Sequence, residues 1–101
     1  MAKQIIWSDR ATNDLLNIFE YWLSRNKSNN YNKKLYTLFN KSIDLIANHS
    51  SIGRPSQIKN IKIKVVRDYQ LIYEDSPELI IILTIWDSRR NPLTLEKIIN
   101  K

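Results

Sequence analysis

The sequence has 101 residues and a mass of 12.0 kDa, which is enough for one small domain and too little for a second. It contains no cysteine, one histidine and one glycine, which excludes disulfide frameworks, cysteine nucleophiles, iron–sulfur clusters, cysteine-ligated zinc and glycine-rich phosphate loops. Sixteen basic residues against ten acidic ones give a formal net charge of +6, which indicates an anionic partner: most often nucleic acid, with an acidic protein or an anionic membrane surface as alternatives.

The chain begins with a predicted strand followed by a helix. Residues 3–7 are rich in β-branched and aromatic side chains, which favours a short strand. Ser8 is a residue type that caps helices, and Asp9 adds favourable charge at the positive end of the helix dipole. Apolar residues then recur at helical spacing, which predicts an amphipathic helix to about Leu23. These periodic positions are Ala11, Leu15, Ile18 and Trp22.

A second amphipathic helix is predicted after a polar link. Residues 24–32 contain arginine, lysine, serine and four asparagines, a composition typical of a connection. Helical periodicity resumes over residues 35–46, and Gly53 and Pro55 follow as stop signals. Two helices joined in this way predict a helical hairpin.

Beyond Pro55 the apolar period changes to two, which predicts strands over residues 61–66 and 69–74 with a tight turn between them. A nearly continuous apolar run at residues 79–86 predicts a strand covered on both faces. A short C-terminal helix is expected over residues 93–99. The predicted fold is α+β, one domain over residues 1–101: an N-terminal strand, a helical hairpin and a three-stranded antiparallel meander, with the helices on one face of the sheet.

We expect neither a targeting segment nor a cofactor. The first apolar run is too short for a signal peptide and no run approaches a membrane span, so a cytoplasmic protein without membrane contact is predicted. A metal or Ser-His-Asp site would depend on His49, which lies at the predicted end of the second helix, where a structural role is favoured. The three tryptophans are expected in the core.

A basic patch is predicted between residues 54 and 67, where five basic side chains occur without an acidic one, and Arg89 and Arg90 follow the last strand. Alternate residues of a strand share a face, so Lys62 and Lys64 point to the same side, away from the isoleucines and valine between them. We predict an anion site on this basic sheet surface; the alternative is that the lysines form an ordinary solvated strand face. The five residues are Arg54, Lys59, Lys62, Lys64 and Arg67.

Four segments occur in an order and spacing that identify a family: Trp7–Leu15, Ile52–Pro55, Lys62–Tyr73 and Ile85–Pro92. In these segments the sequence resembles the RelE/ParE family of bacterial type II toxins, over nearly its whole length. The resemblance implies the strand, hairpin and meander predicted above. It also implies a small growth-inhibiting toxin, of the kind linked to plasmid stabilization, that is neutralised by an antitoxin encoded beside it.

The family divides by target. RelE-like members cut messenger RNA on the ribosome without metal, whereas ParE-like members poison DNA gyrase. The RelE-like pattern implies Lys62, Lys64 and Arg89 as candidate catalytic residues. Gln70 stands in place of a second-strand arginine, and Leu95 falls near an expected tyrosine.

The departures from the RelE-like pattern at Gln70 and Leu95 favour the ParE-like branch. RNA cleavage through the 2′-hydroxyl needs a base, cations for the phosphoryl oxygens and an acid for the leaving oxygen. Losing one preorganised group costs on the order of a hundredfold in rate, and Ile52–Pro55 resembles the ParE-like branch. We therefore favour a gyrase-directed toxin with Arg54, Arg67 and Arg90 as target-binding residues, while Arg54 alternatively holds its loop to an acidic side chain. The alternatives are a RelE-like metal-independent endoribonuclease and a degenerate, non-toxic basic binding module.

The expected partner is an acidic antitoxin, because complementary charge speeds association with a basic toxin. It is predicted to lay an extended or helical segment over a hydrophobic groove and a basic patch.

Overall fold

A helical hairpin covers one face of a five-stranded sheet in the computed structural model, which describes residues 2–89. The α+β class and the element order agree with the sequence prediction. The predicted C-terminal helix lies outside the described residues. The elements are β1 (Gln4–Trp7), α1 (Asp9–Asn26), α2 (Asn30–Asn48), a 3₁₀ turn (Ser50–Ile52), β2 (Arg54–Pro55), β3 (Ile61–Val66), β4 (Tyr69–Asp75) and β5 (Leu79–Asp87).

The strand order is β1-β5-β4-β3-β2. The predicted antiparallel meander is formed by β3, β4 and β5, and β1 pairs in parallel with β5. Because β5 pairs with both β1 and β4, it is an interior strand of the sheet, which explains its nearly continuous apolar sequence. The two-residue edge strand β2 was missed, because a strand so short shows no periodicity. It pairs Arg54 with Ile63 and Pro55 with Lys62, and proline is tolerated at a sheet edge.

The helices are longer than the sequence indicated. The predicted cap is confirmed, since Ser8 Oγ accepts a hydrogen bond from the Ala11 amide at 3.0 Å. However, α1 continues to Asn26 and ends where Lys27 takes a left-handed conformation with φ 54°. The link is therefore only three residues long. Its flanking polar residues form helical turns that are exposed except at Asn32. These turns resemble a loop in composition alone.

Two apolar clusters lie on opposite faces of the sheet. The larger one joins the helices to the meander, and a smaller one on the other face contains Ile61, Ile72 and Trp86. The tryptophans contribute to these clusters as predicted: Trp86 is buried, and Trp7 and Trp22 pack against the larger cluster. The described part of the chain contains no helix of the length and apolarity that a membrane crossing requires.

Strand β5 extends past the end of β1. Ser8, which caps α1, and Asp14 on α1 supply hydrogen-bond partners along this free edge of β5. The Ser8 amide donates to the Ile82 carbonyl at 3.0 Å, and Ser8 Oγ donates to the Leu83 carbonyl at 2.8 Å. Farther along, the Asp14 carboxylate accepts from the Ile85 amide at 3.1 Å and from the Thr84 hydroxyl. Buried backbone groups must be paired, so Ser8 and Asp14 fasten α1 to the centre of the sheet.

The buried Tyr73 hydroxyl fastens the segment after α2 to the sheet. It donates to the Ser50 carbonyl at 2.6 Å and accepts from the Gly53 amide at 3.0 Å. A Cβ atom at position 53 would overlap this hydroxyl and approach two ring carbons to 2.9 Å. The single glycine of the chain is therefore required by this close approach. It does not end α2, which stops at Asn48 with His49 as its cap, four residues before Gly53.

We predict that Gly53→Ala and Tyr73→Phe each destabilise the protein, by about 1–3 kcal/mol. The first substitution forces the tyrosine ring to move, and the second leaves a buried amide without its acceptor. Urea unfolding followed by tryptophan fluorescence measures both, with Tyr36→Phe as the control because Tyr36 is half exposed. Equal stability of Tyr73→Phe and Tyr36→Phe would contradict the role assigned to this hydroxyl.

Candidate functional site

Lys62 and Lys64 do share one face of β3, as strand alternation predicts. That face is the one the helices cover, because Lys62 lies opposite Tyr73 and Lys64 opposite Leu71, both core residues. Both lysines are half-buried. The two lysines therefore do not form an open, solvated strand face.

Lys62 is held in an ion pair. Its Nζ lies 2.8 Å from Asp75 Oδ2, and Lys3 Nζ lies 2.7 Å from Asp75 Oδ1. Burial opposes ionisation of Asp75, but hydrogen bonds from Lys3, Lys62 and Ser50 outweigh it and lower the pKa of the carboxyl to about 2. This carboxylate connects β1, β3 and the end of β4, so the charge of Lys62 serves the fold.

Arg89 is also paired, at the opposite end of the sheet. Its Nε and Nη2 atoms lie 3.0 and 2.8 Å from the two carboxylate oxygens of Asp87. Hydrogen bonds and charge from Asp87 raise the pKa of the Arg89 guanidinium. The Arg89 side chain is 60% exposed, so its outer side is accessible. The adjacent Ser88 amide donates to the Asp68 carbonyl at 2.8 Å, which places this segment beside the β3–β4 turn.

A polar pocket of about 280 Å³ opens beside Arg89, between α1 and the ends of β4 and β5. The Tyr69 hydroxyl accepts a hydrogen bond from Trp22 Nε1 at 2.8 Å. Burial raises the pKa of Tyr69, so this phenol stays protonated at neutral pH and does not act as a base. The polar lining residues are Asp14, Asn17, Tyr21, Tyr69, Asp87 and Arg89.

The candidate catalytic residues Lys62 and Arg89 are not brought together, and Lys64, opposite Leu71, lies between them along the sheet. Lys62 is opposite Tyr73, and Tyr69, four residues away on β4, is opposite Asp87. At about 3.3 Å per residue, this separates Lys62 from the Arg89 end of the sheet by about 13 Å. Gln70 lies opposite Val65, so it is on the other face from both lysines.

The candidate target-binding arginines are exposed but dispersed. Arg54 lies on β2 opposite Ile63, on the face away from Lys62 and Lys64. Arg67 occupies the β3–β4 turn with φ 57°. Arg90 and Leu95 lie outside the described residues. Among residues 2–89, no group of three or more histidine, cysteine, aspartate or glutamate side chains is placed to hold a metal ion.

An apolar groove on the outer side of the hairpin was not predicted. It has a volume of about 480 Å³, and its floor contains Leu16, which is 54% exposed, and Tyr36, which is 50% exposed. The sequence signal was a second apolar stripe on α1 beside the core stripe. The hairpin groove is lined by Leu16, Phe19, Glu20, Leu23, Asn29, Asn32, Lys33 and Tyr36.

The hairpin groove contains a polar group that favours a ligand. Asn32 is only 8% exposed, and its Nδ2 donates to the Phe19 carbonyl at 2.9 Å. Its Oδ1 atom is buried and accepts no hydrogen bond from any described residue. A buried acceptor without a donor is costly, so an occupant that brings an N–H or O–H group would be stabilised there.

Two of the comparisons with known proteins found matches. A family model described as the ParE toxin of the type II toxin-antitoxin system parDE matches residues 5–92. A solved structure described as the chromosomal ParDE TA system from P. aeruginosa superposes with a TM-score of 0.71 at 16% identity, covering 85% of this chain and 96% of that one. This likeness shows a shared fold. A search of curated protein sequences gave no match.

We predict that Asp75 makes stability depend on acid pH. Because its pKa is about 2 in the folded state and near 4 when unfolded, its contribution is complete above pH 4 and is lost as the pH falls towards 2. Between pH 5 and 2 the stability difference between wild type and Asp75→Asn should shrink by about 2 kcal/mol. Urea unfolding at each pH measures it, with the exposed Asp44→Asn as control. A constant difference would contradict the ion-pair role.

Proposed function

The chain belongs to the ParE toxin family of type II toxin-antitoxin systems, and on that premise we propose that it inhibits growth by binding DNA gyrase and is neutralised by a cognate antitoxin. The observation that carries this choice of target is the dispersal of the candidate nuclease cations. Lys62 and Arg89 lie at opposite ends of the sheet, and each is paired with a carboxylate. A toxin that acts by binding has no need to gather these groups around one phosphate.

The same geometry weighs against RNA cleavage. A nuclease that works with lysine and arginine needs uncompensated cations converging on the phosphoryl oxygens. Replacing Gln70 by arginine would not complete such a set, since this position faces away from Lys62 and Lys64. The exposed arginines, Arg54 and Arg67, remain suited to contacting a protein target.

We predict that the purified protein inhibits gyrase supercoiling at micromolar concentration and leaves cell-free translation unaffected. Arg54→Gln and Arg67→Gln should each weaken inhibition about tenfold or more, with Arg10→Gln as an exposed control of the same charge change. Inhibition of translation without inhibition of supercoiling would establish the RelE-like alternative. No inhibition in either assay, with unaffected growth on induction, would identify a degenerate binding module.

We further propose that the antitoxin occupies the hairpin groove. The superposed structure is described as a ParDE system, and the groove combines exposed apolar side chains with a buried acceptor on Asn32. An amphipathic segment fits this surface: its apolar side chains fill the space between Leu16 and Tyr36, and a donor group meets Asn32 Oδ1. Acidic residues on the segment would meet Lys33 at the rim.

We predict that Leu16→Glu weakens antitoxin binding at least a hundredfold, because it places a charge on the apolar floor of the groove. The neighbouring reading frame supplies the antitoxin, and calorimetry measures the affinity. The matched control is Val65→Glu, since Val65 is a similarly exposed apolar residue on β3, with 51% of its surface accessible. Full retention of affinity by Leu16→Glu would place the antitoxin elsewhere, while supercoiling inhibition by this variant would show that the toxin itself remains intact.

A further inference from the structure

The hairpin carries a concentration of positive charge. Between residues 21 and 43 there are five basic side chains and no acidic one. All five are exposed, and none forms an ion pair with another described residue. We call this set the hairpin basic surface: Arg25, Lys27, Lys33, Lys34 and Lys41.

This charge differs from that of the sheet. Lys3 and Lys62 share the Asp75 carboxylate, and Arg89 pairs with Asp87, each within 3 Å. The first turn of α2 contains no acidic residue, although acidic side chains are the ones that the positive end of a helix favours. The field of the helix therefore adds to that of Lys33 and Lys34.

The neutral residues around these charges are suited to phosphate. Residues 24–34 contain serines and asparagines between the basic residues, and Tyr31 is the one apolar or aromatic side chain. Phosphate oxygens accept hydrogen bonds from lysine, arginine, serine and asparagine alike. The core of a protein interface instead needs apolar anchors; the exposed apolar side chains nearby line the hairpin groove, which only Lys33 of this set borders.

Duplex DNA fits better than a single strand. Single-strand binding relies on aromatic side chains on which bases stack. Tyr31 is not available for this, because its ring packs on Trp22 with centroids 4.6 Å apart. Lys34 and Lys41 are seven residues apart on α2, which places them on the same side about 10 Å apart. A rigid row of charges gains most from the high linear charge density of a duplex.

We propose that the hairpin basic surface binds the phosphate backbone of double-stranded DNA without reading its sequence. This activity goes beyond the proposed binding of gyrase and does not depend on it. It also differs in place from the basic patch of residues 54–67, whose cations are partly compensated and spread over two faces of the sheet.

Fluorescence anisotropy with a labelled 30-base-pair duplex of arbitrary sequence tests the proposal, using the full chain at several salt concentrations. We expect binding that weakens steeply with salt. Lys34→Gln/Lys41→Gln should lower affinity about tenfold or more and reduce the log–log salt slope by about two. The matched control is Lys34→Arg/Lys41→Arg, which keeps both charges at the same exposed positions and should change affinity less than threefold.

Three results would overturn the proposal. The first is failure of the wild-type protein to bind the duplex at 50 mM salt. The second is an equal loss of affinity in the two double variants. The third is tighter binding of a poly-glutamate peptide than of DNA. The last result would assign the surface to an acidic protein. These outcomes are independent of the supercoiling assay, so failure of the DNA proposal and failure of the gyrase proposal are distinguishable. Thermal unfolding by circular dichroism verifies that both variants are folded.

Discussion

The structure depends on how the backbone hydrogen bonds along one edge of the long interior strand β5 are completed. The short strand β1 and residues at the start of α1 supply the partners. Strand β5 has nine residues, whereas its parallel partner β1 has four. The backbone groups that β1 leaves open are taken by Ser8 and Asp14. Because a buried backbone group without a partner is costly, this requirement fixes where α1 crosses the sheet. The position of α2, the hairpin groove and the polar pocket near Arg89 follow from it.

A second network ties the remaining elements to this frame. Tyr73 holds the turn after α2 through Ser50 and Gly53, and Asp75 joins Lys3 to Lys62 across the sheet. Both networks lie at the same end of β4, where Ser50 hydrogen-bonds to Asp75 as well as to Tyr73. Several cations of this basic chain are thus used for structure, whereas the five cations of the hairpin basic surface form no ion pair with a described residue.

The functional proposals follow this division of the molecule. The sheet supplies a rigid support, and its paired lysine and arginine offer little to a phosphate-cleaving mechanism. The hairpin presents an apolar groove and a basic surface side by side, which suits the proposed binding of both a target and an antitoxin. Lys33 belongs to both surfaces, so an acidic antitoxin in the groove would also reduce the positive potential of the hairpin. Neutralisation by the antitoxin and loss of DNA contact would then be coupled through charge.

The sequence by itself determined what depends on neighbouring residues. Helical and strand periodicity predicted the order of the elements, the Ser8 cap and the shared face of Lys62 and Lys64, and the ordered motifs identified the family. The tertiary structure alone decided which face of the sheet the helices cover, and with it the burial of those two lysines. It also decided the partners of the charges, since Lys3 and Asp75 are 72 residues apart. A local sequence pattern predicts whether a segment forms a helix or a strand. Ion pairs, edge strands and grooves arise from contacts between distant segments, which a local pattern does not predict.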